Sequence, residues 1–481
     1  MSAVPAAWRS PLTFERFATA LFLVAVAVAA CLMPAQTDTW WQLRAGEAMW
    51  TSHHIMLHDQ FSHTVSGGYW PNHEWLAQLA FYAAYKVGGL PLLTVLCAAA
   101  VTTCWAVVAS LTPASSRVRL ALLGAGAILT SPAWSLRPQV FSLALFAIVL
   151  QILVARRRLW ILMPVFVLWA NVHGGVVLGV VLLTAAVVAT AVVEPARFRR
   201  MAIVAAACLL CTAATPLGFT LWKEVPLSLA RLRAYGVIEW QPPGLALVDV
   251  PFWLAGAAVC VLLLTSRSRL RSSSTVAFLG IAASMFFVLA LQTRRNIPPF
   301  VICAVPLVGM LTTRAESRRS VVRRERPALN AAVLGTVAVA CAGLVAAAWS
   351  GPSPRLGWNP ISSELRHAIA NCPGRLYNRY DDGGYLIWFA RDKKVFIDSR
   401  QDPYSQDMVH RHVQLETTGE YKPLFARYDI GCALTTRESP LARALARDGW
   451  RESSGEGSWA LFARPAAALV AIRSAVRLEP E

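Results

Sequence analysis

Arginine-rich turns alternate along this chain with polar clusters, and an apolar segment of about membrane-spanning length separates each from the next. That alternation admits a bundle of membrane helices and little else. The basic turns are Arg117/Arg119, Arg156-Arg157-Arg158, Arg197 to Arg200, Arg267/Arg269/Arg271 and the run from Arg314 to Arg326. Short loops rich in arginine stay in the cytoplasm. The opposite face then receives Asp38-Thr39-Trp40-Trp41, Asn72-His73-Glu74-Trp75, Arg137-Pro138-Gln139, Asn171-Val172-His173-Gly174-Gly175 and Arg294-Arg295-Asn296. Acids, arginines and histidines gathered at the outer ends of apolar segments suggest a site on that face.

The chain is 56% hydrophobic and 15% charged over 481 residues, an integral-membrane composition. Its formal charge of +18 sits mostly in the short turns, where it sets topology and attracts anionic headgroups. It is not a nucleic-acid signature, and no nucleic-acid partner is expected. Arg9 and Arg16 precede the apolar run Phe17 to Met33, read as an uncleaved first helix because no small-residue cleavage site follows. Cys31, Cys97, Cys104, Cys208, Cys211, Cys260, Cys303 and Cys341 lie in apolar helices, where a thiol behaves as a small hydrophobe. Cys372 and Cys432 lie in the soluble tail and are either free thiols or, in an oxidising compartment, a disulfide.

Apolar runs place about eleven spans near 16–34, 90–111, 118–134, 139–155, 159–170, 174–193, 201–217, 251–266, 275–292, 297–313 and 329–349. The chain starts inside and ends outside. Arg294-Arg295 is the basic pair that breaks the positive-inside pattern, which marks it as functional. Between the first two spans, Trp40 to Trp50 and Glu74 to Lys86 read as short interfacial helices, with Arg44 and Glu47 opposite the apolar side of the first. A second outer loop runs from about 218 to 250 and carries Glu239-Trp240-Gln241.

After Ser350 a Gly/Pro stretch (351–354) leads into soluble patterning. Helices are predicted from Asn359-Pro360 through Ile369, over Gly384 to Phe389, Ser405 to Thr417 and Leu441 to Asp448. Strands are predicted at Arg375 to Tyr377, Val395 to Asp398, Asp429 to Leu434 and Trp459 to Phe462. The expected architecture is a polytopic α-helical membrane protein with a C-terminal extracytoplasmic α/β domain. Residues 1–350 form its membrane domain, including a large first outer loop (35–89), and residues 351–481 form the tail.

From Asp38 onward the sequence resembles the GT-C membrane glycosyltransferases, which include protein O-mannosyltransferases, lipid A aminoarabinose transferases and oligosaccharyltransferase. The nearer resemblance is to a bacterial subgroup carrying D-x-W-W-x-L-R-x-G-E (Asp38 to Glu47), D-x-F-S (Asp59 to Ser62) and W-x-x-H-E-W-L (Trp70 to Leu76). Late in the chain follow N-x-Y-D-x-G-G-Y-L-I-W (Asn378 to Trp388) and V-F-I-D-x-R (Val395 to Arg400). Oligosaccharyltransferase carries W-W-D-Y-G in its tail, where this chain has Tyr380-Asp381-Asp382-Gly383, so peptide recognition does not carry over. Metal-dependent members place an acidic pair in the second outer loop. Here that loop, Ser131 to Gln139, has no acid, so no cofactor is expected, with a divalent metal as the open alternative.

The resemblance implies transfer of a sugar from a polyprenyl-phosphate carrier to an extracytoplasmic glycan, lipid or protein acceptor, in the bacterial cytoplasmic (inner) membrane. Such chemistry needs a base for the acceptor hydroxyl and cationic donors for the departing phosphate. Asp38 is the candidate base, or else Asp38 or Thr39 caps the 40–50 helix. Glu74 is the second candidate acid. Arg137, His173, Arg294, Arg295 and Asn296 are the candidate phosphate-side residues, with snorkelling or simple packing as the alternative. Arg44 and His73 belong to the same expected substrate-binding set, as do Asp381, Asp382, Asp398 and Arg400 of the tail. His53, His54, His58, His63 and His73 crowd the first outer loop without metal-ligand spacing. Trp40 and Trp41 read as interfacial anchors or sugar-stacking platforms. The rival functions are a transporter or flippase, which would bury polar groups mid-span, and a non-catalytic envelope-assembly protein.

Overall fold

The structure is a computed structural model and describes residues 12–224, 237–313, 325–350 and 356–465. The Gly/Pro stretch 351–354, Arg9 and most of the Arg314 to Arg326 run lie outside the described residues. The chain forms two compact units. The first contains the described parts of Met1–Pro34, Ala84–Phe219 and Val237–Leu356. The second contains Ala35–Ala83 and residues 220–224 and 357–465.

The first unit is a bundle of apolar helices. They span Phe14–Cys31, the later part of Trp75–Leu111, Ser116–Thr130, Gln139–Ala155, Leu162–Val172, Val176–Val193 and Phe198–Cys211. Val250–Thr265, Ser274–Ala290, Ile297–Thr312 and Pro327–Ser350 complete the series. Each falls on one of the apolar runs read from the sequence. Phe14–Cys31, Trp75–Leu111, Val176–Val193, Arg294–Thr312 and Pro327–Ser350 are long and apolar enough to cross a membrane, and four shorter apolar helices accompany them. The chain is thus a multi-pass membrane protein.

Glycines let these helices approach closely, as lipid-embedded packing requires. A Cβ at Gly179 would come within 2.7 Å of Trp169 and 2.9 Å of Phe166, and one at Gly126 within 2.6 Å of Trp105. Phe146 meets Phe286 edge-on with centroids 5.2 Å apart, and Phe252 stacks on Phe287 at 5.4 Å. The Trp75–Leu111 helix breaks at Gly88 and Gly89. Gly89 adopts φ 63° and ψ −158°, a conformation open only to glycine, and interrupts the helix there.

The second unit is built around a four-stranded sheet in the order β1-β2-β4-β3, with β1 Arg375–Asn378, β2 Ile430–Thr436, β3 Arg451–Glu456 and β4 Trp459–Ala463. β1 and β2 are parallel, and the other two pairings are antiparallel. Helices Ser363–Ala370, Gln406–Thr418 and Pro440–Arg447 start on serine caps: Ser362, Ser405 and Ser439 each accept a bond from an N–H three residues on. Cys372 and Cys432 are joined by a disulfide, with Cα atoms 5.9 Å apart.

Residues Ala35–Ala83 belong to the second unit. Trp41, Ala45, Met49, Met56 and Trp70 are buried in one core with Ile361, Leu365, Leu376, Leu386, Val395 and Leu434. Helix Thr37–Ser52 packs along helix Tyr380–Phe389. Gly384 permits the approach, since a Cβ there would strike the Thr37 backbone, and Gly46 likewise allows contact with the Gln78 carbonyl. Val395 to Asp398 does not join the sheet. It is buried and makes one parallel bridge, Ser62 to Val395.

Candidate active site

Two polar clusters contain the sequence-derived candidates, one in each unit. In the second unit, helix Thr37–Ser52 begins one residue before Asp38. Gln36 is the N-cap, and the Thr39 hydroxyl completes a capping box by accepting from the Gln36 N–H at 3.1 Å. Asp38 therefore stands in the first helical turn, where the helix dipole favours a carboxylate. Its Oδ1 accepts from the Trp41 indole N–H at 3.1 Å and from the Ser399 hydroxyl by a short bond. Trp41 Nε1 also lies 3.2 Å from Ser399 Oγ. Trp40 is not an interfacial anchor: it is 2% exposed and packs on Tyr385, Trp388 and Phe389.

Gln42, one turn after Asp38, donates a short bond to Glu74. His73 Nδ1–H donates to the Pro71 carbonyl at 3.2 Å, and its ring nitrogens lie 3.9 Å from Asp402 and from Glu74. Asp402 follows Gln401, whose φ of 66° is a left-handed value unusual for a side chain of its size. Tyr380 donates to the Ser399 carbonyl at 3.4 Å. Burial and the neighbouring Asp38 charge push its phenol well above the ordinary value. Arg44 is paired with Glu47 at 2.5 Å, and Glu47 also binds Arg391 at 2.9 Å.

Asp398 and Arg400 are buried in the second unit. Both side chains are 0% exposed and bonded to each other, with Arg400 Nη2 2.7 Å from Asp398 and 2.5 Å from Asp59. Tyr404 donates to Asp398 at 2.6 Å, and the guanidinium lies 4.8 Å from the Trp70 ring centroid. Burial opposes the Arg400 charge, but Asp398, Tyr404 and Asp59 outweigh it. These groups are bonded to one another in the interior of the second unit. Asp381 is exposed and Asp382 buried in the first turn of helix Tyr380–Phe389. Burial, with Asp381 and Glu416 nearby, pushes the Asp382 carboxyl up to about 6 against the pull of Arg379. His63 is structural, its Nε2–H donating to the Leu376 carbonyl at 2.9 Å.

In the first unit, the ends of several helices bring together Arg137, His173, Glu239, Trp240, Arg294 and Arg295. Arg137 donates to both Glu239 oxygens at 3.3 and 3.1 Å and to Ser135 at 3.0 Å. Arg295 Nη1 is 3.6 Å from Glu239, and its guanidinium lies over Trp240 at 4.5 Å. Burial alone would raise the Glu239 carboxyl; Arg295 and Arg137 reverse this and hold it low. Arg294 binds Asp249 through two bonds of 3.0 and 2.7 Å and anchors the loop to the helix that Asp249 precedes. Asn296 donates to the Leu289 carbonyl at 3.2 Å, closing the end of the preceding helix. Arg294 and Asn296 thus shape the turn, while Arg295 and His173 approach each other at 3.5 Å.

Sequence reasoning passed over Ser399 and Ser142 and gave no role to Glu239. Isolated serines carry no signal of their own. Among the described residues, no group of three or more His, Cys, Asp or Glu side chains is arranged to hold a metal ion.

No protein-family model matches the sequence, and no curated protein sequence matches it. Solved structures do. The archaeal oligosaccharyltransferase AglB from Archaeoglobus fulgidus, bound to an inhibitory peptide and a dolichol-phosphate, aligns with TM-score 0.60 at 11% identity. The alignment covers 90% of this chain and 71% of that one. The apo form of the same enzyme gives 0.58 at 12% over 90% and 70%. ArnT from Cupriavidus metallidurans bound to undecaprenyl phosphate gives 0.51 at 16% identity over 96% and 99%. At these identities the likeness is one of fold alone.

Proposed function

We propose that this protein is an integral membrane glycosyltransferase that moves a sugar from a polyprenyl-phosphate donor to an extracytoplasmic glycan, lipid or protein acceptor. The observation carrying this reading is the Asp38 carboxylate, set in the first turn after the first span and fixed by Trp41 and Ser399. A carboxylate so oriented suits a general base. Asp38 takes the acceptor hydroxyl's proton as that oxygen bonds to the anomeric carbon. The bond from that carbon to the phosphate oxygen breaks, and the polyprenyl phosphate leaves with the electron pair. Within the first unit, Arg295 and His173, supported by Arg137, are the groups whose chemistry suits a phosphate. Glu74 and His73 help orient the acceptor. The likeness to structures solved with dolichol-phosphate and undecaprenyl phosphate supports this donor class. The Cys372–Cys432 disulfide supports an extracytoplasmic second unit, because cytosolic thiols stay reduced.

Mass spectrometry of envelope glycans in a deletion strain, complemented with the wild-type or the Asp38→Asn protein, tests the reading. A glycan lost on deletion is expected to return only with Asp38. Its return with a stably inserted Asp38→Asn protein would remove Asp38 from the mechanism.

A further inference from the structure

The proton of His173 can be placed from the groups around it. Trp169 Nε1 can only donate, and it gives its hydrogen to Ser142 Oγ at 2.7 Å. The Gly175 N–H can likewise only donate, and it reaches His173 Nδ1 at 2.9 Å. Ser142 Oγ stands 2.9 Å from the same Nδ1 and, already accepting from Trp169, turns its hydrogen toward it. Nδ1 must then present a lone pair, so the ring carries its hydrogen on Nε2. Trp169, Ser142 and His173 are 0%, 4% and 8% exposed, so little water competes for these bonds. Glycine is required at 175: a Cβ there would lie 2.6 Å from Ser142 Oγ and 2.7 Å from His173 Nδ1.

The protonated Nε2 lies 3.5 Å from Arg295 Nη2, which is also a donor. Two donors at that separation do not bond to each other, but both can reach one acceptor oxygen at about 2.8 Å. Arg295 is steadied by Trp240 beneath its plane and by Glu239 beside Nη1.

We propose that Ser142, Trp169 and Gly175 are positioning residues that hold His173 as its Nε2–H tautomer, so that His173 and Arg295 together donate to one oxygen of a phosphate ester. This rests on the polyprenyl-phosphate reading for the identity of the ester, but not on the occurrence of sugar transfer. Lipid phosphate and free phosphate share the chemistry.

The test uses the full-length protein in nanodiscs, labelled with ¹⁵N-histidine and assigned through His173→Gln. The His173 spectrum should show a protonated Nε2 and a bare Nδ1. Undecaprenyl phosphate should bind more tightly than undecaprenol in native mass spectrometry. Ser142→Ala should weaken that preference about tenfold, the loss expected of one orienting hydrogen bond. His173→Gln, whose amide nitrogen falls near Nε2, should retain more affinity than His173→Asn, which gives a second measurement if Ser142→Ala folds poorly. Competition by inorganic phosphate would uphold the anion site and assign it a soluble ligand as well. A proton on Nδ1, or equal binding of undecaprenol and undecaprenyl phosphate, would overturn the proposal. Failure of the Asp38→Asn test would leave it standing.

Discussion

The Ser399 hydroxyl donates to the Asp38 carboxylate across 361 residues of sequence. The C-terminal part of the chain therefore supplies a side chain that orients the candidate base. A hydrogen bond to an ionised group contributes about 1.5–3 kcal/mol, so Ser399→Ala should lower glycan formation in the complemented strain roughly 10- to 100-fold. Ser399→Thr, which keeps the hydroxyl, should restore most of it. Full activity in Ser399→Ala would show that the bond is incidental.

Asp382 predicts a pH-dependent stability. Its carboxyl is buried, its Oδ2 lacks a hydrogen-bond partner among the described residues, and its folded value is about 6 against an ordinary 3.8. A raised acid binds its proton more tightly when folded. Its contribution is therefore fully present below about 3.8 and is lost as pH rises through about 6. Asp382→Asn removes the cost of the ionised form and should raise thermal stability at pH 7.5 by about 2–3 kcal/mol. Near pH 4 the two proteins should unfold alike. His412, lowered to about 3 by burial and by Arg379, acts oppositely in both proteins: it costs stability as pH falls below about 6.5. The comparison should be made between variants at each pH. Equal unfolding temperatures at pH 7.5 would contradict the assignment.

Much of the fold was legible because one signal, the length of an apolar run, decides a membrane helix. Ser405, Ser439 and Pro440 similarly announce the starts of tail helices. Strand β3 was not legible: Arg451 to Glu456 contains no apolar residue and lies at the sheet edge, so alternation had nothing to mark. Val395 to Asp398 looked like a strand because apolar residues run into a charge. It is instead a core segment held mainly by Phe61, His63 and Thr64. Asp38 was singled out as a candidate from its motif and position. Ser399 could not be, because only tertiary packing brings it to Asp38. The pairing of Asp398 and Arg400 with Asp59 was not legible, because Asp59 lies in a loop whose path the sequence does not reveal.

That buried trio makes a direct prediction. Arg400 is the cation between Asp59 and Asp398, and Arg400→Met leaves two interior carboxylates without it. Breaking a buried pair from one side costs about 3–5 kcal/mol. Purified Arg400→Met protein should unfold at clearly lower temperature, and Arg400→Lys should recover only part of the loss, since it lacks the forked geometry. An unchanged unfolding temperature would mean that the trio carries no stability.

The Cys372–Cys432 bond links the residues before β1 to the middle of β2, across a sequence separation of 60. Closing a loop of that length removes chain entropy from the unfolded state worth about 4 kcal/mol. In an oxidising compartment both sulfurs should be unreactive toward alkylation until a reductant is added. Cys372→Ser and Cys432→Ser should each lower the unfolding temperature, and the double variant should lose no more than either alone, because a single bond is removed in all three. If the native protein instead shows two alkylatable tail thiols before reduction, the second unit meets a reducing compartment, and the extracytoplasmic orientation must be reversed.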